Sequence, residues 1–276
     1  MDAQSLHELH EAGARWVDSH AHLTMLEPDD VGPALERAAD VGVGGVLVPS
    51  TNRQDLDRAC GLAEDHPGVV VASAGVHPHD AASLDAGLKR DIERSLERPG
   101  VVAVGEIGLD YHYMSSPRED QLQALRWQLD LALEAGRPVI LHNRESWSDM
   151  AALLAPLAGR LRGVCHSFAE GPDEAREVRS WGLLIGISGM VTFKQADNIR
   201  EMAAALTAAD VLVETDSPFL APVPHRGKPN EPAFVALSAA RLAEVLGVTS
   251  VELALATTAS FLELLSLPET WGSLKV

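Results

Sequence analysis

The sequence is poor in cysteine, in aromatic residues and in positive charge, and each shortage narrows what the chain can be. Two cysteines, Cys60 and Cys165, among 276 residues build no disulfide framework and fit a reducing cytoplasm. Aromatic residues make up 4% of the chain against 46% apolar residues overall, so aliphatic side chains must dominate the core. Lys and Arg number 22 against 40 Asp and Glu, a formal net charge of −18. That balance argues against a long-range basic footprint for nucleic acid. It leaves room for a nucleic-acid substrate gripped locally by metal ions and a few basic residues. No apolar run reaches the length of a membrane span. The first residues, MDAQSLHELHEAGARW, have neither the basic start nor the apolar stretch of a signal peptide. The expectation is a cytoplasmic protein with no membrane association and no obligate protein partner. Residues 1–276 form one domain, opening with a short polar leader over residues 1–14 that carries His7 and His10 on its surface.

What the chain does have is a recurrent alternation of short β-branched runs and helical patterns. Strands are predicted at Trp16–His22, Gly45–Pro49, Val69–Gly75, Val101–Glu106, Val139–His142, Gly163–His166, Leu183–Ile187 and Val211–Thr215. Several, such as VVAVGEIG and GGVLVPS, are continuously apolar, as parallel strands buried on both faces must be. Between them Leu122, Leu125, Leu129 and Leu133 share one helical face. Ser116 is the expected N-cap of that helix, Pro117 its first residue, Glu119 the partner in a capping box and Gly136 its stop. Another helix is expected from Thr249, with Glu252 three residues on. Eight strand–helix units in the ~250 residues of such a barrel point to an α/β fold of (β/α)8 TIM-barrel type. An open doubly wound sheet is the alternative.

The strand ends carry the chemistry. His20 and His22 close the first predicted strand, two residues apart, and would share one of its faces. GVHPHD places His77 and His79 after the third strand, and GEIGLDYH places Glu106 and Asp110 at the end of the fourth. His142 ends the fifth, His166 the sixth, and Asp216 follows the eighth. In a barrel these positions converge on one rim. Each histidine alone reads as well as a satisfied buried side chain; together they do not. Imidazoles with carboxylates suit Zn²⁺, Mn²⁺ or a similar ion rather than Ca²⁺. Four imidazoles and two carboxylates exceed what one open catalytic ion needs. They fit two divalent ions (Zn, Mn, Mg or similar) sharing one carboxylate, with Glu106 as the bridge. His77 is read as a substrate contact or occasional ligand, and Glu214 as interior support that orients a ligand. Cys165, next to inward His166, is expected to point into the surrounding packing. His112 and Tyr113 receive no role.

DSHAHL, GVHPH, GEIGLDY, LHNR, CHSF, GISG, ETDSPFLAP and RGKPNEP, in that order and spanning almost the whole chain, resemble the motifs of TatD-family metal-dependent hydrolases. The resemblance implies an amidohydrolase-like TIM barrel, two or more divalent ions and, commonly, deoxyribonuclease activity. Carried over motif by motif, it implies that His20, His22 and Asp216 hold the first ion. His142 and His166 would hold the second, with Glu106 between.

Two such ions would activate water against a phosphodiester, with Asp216 accepting its proton. Arg144, Lys194, Arg226 and Lys228 are the candidate phosphate contacts on rim loops, and the motifs favour Arg144 and Arg226. The expected substrate is a nucleic-acid end or single-stranded DNA. One alternative is an amide or ester hydrolase on the same barrel, against which the fourth strand offers Glu106 where many amidohydrolases use a carboxylated lysine. The other is a non-catalytic metal-binding scaffold, against which the ligand set and candidate base are all present.

Overall fold

The computed structural model describes residues 3–273. Its eight strands are all parallel and follow one another round the sheet in chain order. They are β1 (Trp16–Asp18), β2 (Val43–Pro49), β3 (Val70–Ala74), β4 (Val101–Asp110), β5 (Val139–Arg144), β6 (Gly163–Cys165), β7 (Leu184–Ile187) and β8 (Val211–Val213). The barrel closes between first and last strands. Ser19 N donates to Val213 O at 3.0 Å, Asp216 N donates to His20 O at 2.9 Å, and Ala21 bridges Ser217 in parallel. The open-sheet alternative is thereby excluded.

Strand alternation divides the buried apolar residues into two sets. Val46, Val48, Val139, Leu141, Cys165, Val211 and Val213 join helix residues such as Leu56, Ile92, Leu125 and Met202 in the outer layer. Leu47, Ile140, Val164 and Leu212, the positions between them, pack inside the barrel with Phe261 and Trp271, which plug its floor. A side chain at Gly45 would strike the Trp271 ring, 2.3 Å from an added Cβ. Continuing the inward set one step past Ile140, Val164 and Leu212 gives His142, His166 and Glu214. Packing that fills the barrel below therefore aims polar residues at its upper end.

The helices are α1 (Ala3–Glu11), α2 (Pro28–Ala39), α3 (Arg53–Asp65), α4 (Ala86–Ser95), α5 (Arg118–Ala135), α6 (Trp147–Leu154), α7 (Pro172–Ser180), α8 (Asp197–Ala204), α9 (Val235–Leu246) and α10 (Ser250–Leu265). α10 has the expected capping box of Thr249 and Glu252, and α5 stops at Gly136 in the left-handed conformation. The start of α5 differs from expectation. Pro117 is its N-cap, without a side-chain cap. The Ser116 hydroxyl instead donates to His79 O at 2.8 Å and accepts from Ala82 N at 3.1 Å, tying α5 to the loop after β3.

The leader is helical, with His7 and His10 exposed. Residues 3–11 form α1, whose Leu9 is fully buried, because Leu6 and Leu9 lie three apart on one helical face. His7 stays exposed, 3.3 Å from Glu11. No single helix among the described residues is long and apolar enough to cross a membrane. One pair, Pro232–Leu246 and Ser250–Leu265, passes by length and composition together but is bent by 107°, and both helices bury residues in the barrel's packing.

Candidate metal centre

β1 ends at Asp18, so His20 and His22 lie beyond the strand that was expected to carry them. Their convergence comes from Asp18 rather than from strand alternation. Thr215 donates to its carboxylate from the backbone at 2.8 Å and from Oγ1 at 2.5 Å, and His20 N donates to Oδ1 at 3.3 Å. This clamps the segment after β1 to the segment after β8, and His22 N adds a bond to Ser217 O at 2.8 Å. Burial pushes the Asp18 carboxyl up to about 8, against the pull of the Thr215 bonds. Asp216 sits next in the clamp with φ of 58°, a left-handed conformation that aspartate tolerates better than most residues.

Glu106 is the centre of the cluster and is 2% exposed. Its Oε2 lies 3.3 Å from His20 Nε2 and 3.7 Å from His22 Nε2. Its Oε1 lies 2.9 Å from His166 Nε2, 3.1 Å from His142 Nδ1 and 3.4 Å from His77 Nε2. Asp216 Oδ1 stands 3.3 Å from His22 Nε2 and 3.8 Å from His20 Nε2. All six sequence-predicted ligands thus meet, one Glu106 oxygen facing each histidine pair, and His77 joins them. Gly108 allows this approach, since a Cβ there would lie 1.9 Å from His142 O on β5.

These residues fit divalent ions. Ring nitrogens approach each other at 3.2 Å between His20 and His22 and at 3.1 Å between His142 and His166. Such contacts need a proton or a cation between the lone pairs. Glu106 Oε2, the oxygen that faces Nε2 of His20 and His22, is buried without a hydrogen-bond partner, a costly state for a polar group otherwise. The sets His20–His22–Asp216, His20–Glu106–His166 and His77–Glu106–His142 each bring their donor atoms within 4.8 Å of one another. Nitrogen and carboxylate donors together are the set Zn²⁺ or Mn²⁺ takes.

The electrostatics show the same demand for positive charge. Burial would raise Glu106, but the imidazoles of His166, His77 and His20 hold it well below the usual range. Burial pulls down His22, His142 and His166, yet the carboxylates they face more than reverse it. For His20, burial and neighbouring His166 win, and the ring is pushed down. His77 is lowered to about 4, chiefly by burial.

A further layer holds these side chains. Asp110 Oδ2 lies 3.3 Å from His142 Nε2 and 3.0 Å from His79 Nε2, while Gln121 clasps its backbone N–H and carbonyl. Glu214 is fully buried, 3.6 Å from His166 Nδ1, and accepts hydrogen bonds from Ser19 Oγ and Ser167 N. The clamp by Asp18 and the role of Asp110 were missed from sequence, although both stand inside the motifs DSHAH and GEIGLDY. Cys165 packs outward. Arg144 follows His142 on β5, exposed, its guanidinium 4.7 Å from the Tyr113 ring centre. Arg226 stacks on Phe193 at 3.7 Å, and Lys194 is exposed on the loop after β7. No contact brings Lys194 or Arg226 onto the cluster among the described residues.

Comparison with known proteins identifies the family of the chain. The chain is 35% identical over 243 residues to the uncharacterized metal-dependent hydrolase YabD of Bacillus subtilis, covering 87% of this chain and 95% of that one. It is 38% identical over 226 residues to a 3'-5' ssDNA/RNA exonuclease TatD of Pantoea vagans, covering 80% and 87%. The crystal structure of YJJV, a TatD homologue from Escherichia coli, superposes with a TM-score of 0.87 at 32% identity, covering 93% of this chain and all of that one. The family model described as TatD related DNase matches residues 17–266, and the chain belongs to that family of metal-dependent hydrolases.

Proposed function

We propose that the protein is a divalent-metal-dependent phosphodiesterase acting on nucleic-acid ends or single-stranded DNA, working in the cytoplasm. The observation that carries this reading is the placement of Glu106, one carboxylate oxygen toward His20 and His22 and the other toward His142 and His166. His20, His22 and Asp216 would hold one ion and His142 and His166 the other, with Glu106 shared. Bound there, the two ions would supply a polarised phosphoryl oxygen and an acidified water.

The chain's own groups supply the rest. Asp216, 9% exposed, is the carboxylate at the mouth of the cluster and takes the proton at Oδ1 or Oδ2. His77, held neutral at physiological pH by burial, donates or accepts a hydrogen bond to substrate without adding charge. Arg144 binds a phosphate oxygen beside the second histidine pair, and Arg226 and Lys194 meet more distant phosphates. An amide-hydrolase reading has less support, because β4 delivers Glu106 and no lysine to the shared position.

The test is hydrolysis of a single-stranded oligonucleotide and of an amide substrate by purified protein. It is run as isolated, after chelation, and after Zn²⁺ or Mn²⁺ is returned. Cleavage of the oligonucleotide that is lost and regained with metal is expected. Metal-dependent amide cleavage without oligonucleotide cleavage would overturn the reading.

A further inference from the structure

Seven large apolar side chains are exposed among the described residues: Met25, Val69, Tyr113, Met114, Phe219, Val223 and Leu255. Five of them stand on loops after β1, β4 and β8, at the end of the barrel that holds the cluster. Exposed apolar surface concentrated around a polar centre calls for an explanation. It does so more strongly in a chain with only two tyrosines and five phenylalanines. Two of the seven carry rings, Tyr113 at 59% and Phe219 at 49% exposure, both held out of the core.

The two rings occupy different sides of the cluster. Phe219 lies edge-on to His22, ring centres 5.9 Å apart, and so borders the His20–His22–Asp216 set. Its backbone is fixed rather than loose. Phe219 N donates to Asp216 O at 2.8 Å, and buried Asn230 donates to Phe219 O at 2.7 Å and to Thr215 O at 2.8 Å. Tyr113 borders the other set. Its ring is 5.4 Å from that of His79, which shares Asp110 with His142. Its backbone N–H donates to Asp110 Oδ1 at 2.9 Å, and Arg144 lies over the ring.

We propose that Phe219 and the Tyr113–Arg144 pair are stacking platforms for the two unpaired bases flanking the scissile phosphate; this rests on the phosphodiesterase reading. Flat rings anchored to residues of the phosphate site, Phe219 through the backbone carbonyl of Asp216 and Tyr113 through the Asp110 carboxylate, match a ligand with a planar face on each side of a phosphate. Unpaired nucleotides have that shape, and every base offers a π-face, so the recognition is independent of sequence. Bases inside a duplex are already stacked on one another and present only their edges. The platforms therefore make strand separation, rather than sequence, the property that the site reads.

The experiment compares a single-stranded oligodeoxynucleotide with one whose two terminal residues are abasic, using metal-loaded protein and the variants Phe219→Ala, Tyr113→Ala and Phe219→Trp. Loss of one platform is expected to raise KM for the normal strand about ten-fold, and KM for the abasic strand far less. Metal content measured on each variant is expected to match wild type, since neither ring supplies a ligand atom. Phe219→Trp is expected to restore the low KM. Alanine variants that keep the wild-type preference for the normal strand would overturn the platforms alone. Failure of the metal-loaded wild type to cleave either strand would overturn the phosphodiesterase reading and the platforms with it.

Discussion

Asp110 Oδ2 stands 3.3 Å from His142 Nε2, and His142 Nδ1 on the opposite side of the ring faces Glu106 at 3.1 Å. An acceptor at Nε2 fixes the tautomer that leaves the Nδ1 lone pair free for a cation. The carboxylate is itself immobile, because His112 and Tyr113 backbone N–H groups donate to its Oδ1. Asp110→Ala is expected to weaken one of two divalent-binding events by about 10- to 100-fold and to leave the other near wild type. Asp110→Asn, which keeps an acceptor oxygen, is expected to recover most of the loss. Calorimetric titration of metal-free protein with Zn²⁺ checks this; two wild-type affinities in the alanine variant would show that packing alone holds His142.

Glu106→Ala removes the one side chain that faces both histidine pairs. Metal analysis after dialysis is expected to find fewer than two ions per chain, with oligonucleotide turnover abolished. Full occupancy with near wild-type activity would refute the shared-carboxylate assignment.

Asp216→Asn separates proton transfer from shape. Asparagine also tolerates the left-handed backbone at this position, so the loop and one oxygen are retained while the base is lost. Turnover is expected to fall by at least ~10²-fold, with substrate affinity changed much less. Equal losses in both, measured by steady-state kinetics and by oligonucleotide binding, would reduce Asp216 to a structural ligand.

The parts of this centre legible in sequence were those set by strand alternation and by strand ends. His142 and His166 follow inward Ile140 and Val164, so a continuous apolar strand ending in a histidine announced them. His20 and His22 were found for a reason that does not hold, since β1 ends before them. Their alignment depends on Asp18 reaching Thr215 almost two hundred positions away, a contact no local pattern encodes. The Ser116 cap was misread for a related reason: its hydroxyl answers to His79 and Ala82 across the rim, and tertiary contacts override the local signal. Asp110 stood inside a recognised motif, but which histidines it touches is fixed only when β4, β5 and the loop after β3 come together.

The Tyr111–Asp149–Arg118 cluster beside the rim predicts an alkaline limit to stability. Tyr111 donates to Asp149 at 2.5 Å, and Arg118 pairs with the same carboxylate at 2.6 Å. Burial, then the bond to Asp149 and its charge, raise the phenol from 10 to about 12. A folded-state pKa above the unfolded one contributes stability that is complete below pH 10 and lost as pH rises through about 12. Tyr111→Phe lacks the titration. The wild type is expected to exceed it by about 1 kcal/mol at neutral pH, and the difference to shrink between about pH 10 and about pH 12. Denaturant unfolding of both proteins across that window checks it; a difference independent of pH would show that the phenol titrates alike in both states.

The acidic balance of the chain sets how it can engage a polyanion. At a net charge of −18, long-range attraction is absent, so grip must be local. Much of the basic charge is already committed: Arg37 pairs with Glu231, Arg53 with Asp85, Arg98 with Glu64 and Arg179 with Asp210. Arg144, Lys194, Arg226 and Lys228 form no ion pair among the described residues; Arg144 ends β5, and the other three stand on the rim loops after β7 and β8. Glu106 and Asp216 as proposed ligands, with Asp110 and Glu214 against the histidines, formally offset two divalent ions, so the positive charge at a loaded rim comes from Arg144, Lys194, Arg226 and Lys228. Such a site holds two or three phosphates and has nothing with which to track a duplex. Since the salt dependence for single strands scales as about −0.7 per phosphate neutralised, the slope of log K against log salt is expected near −2 or shallower. Binding to duplex interiors is expected to be weaker than to single strands. Fluorescence anisotropy of labelled single-stranded and duplex oligonucleotides, titrated with salt against the metal-loaded protein, measures both quantities. Tight duplex binding with a slope several-fold steeper would require a basic track along the surface and overturn the local-grip reading.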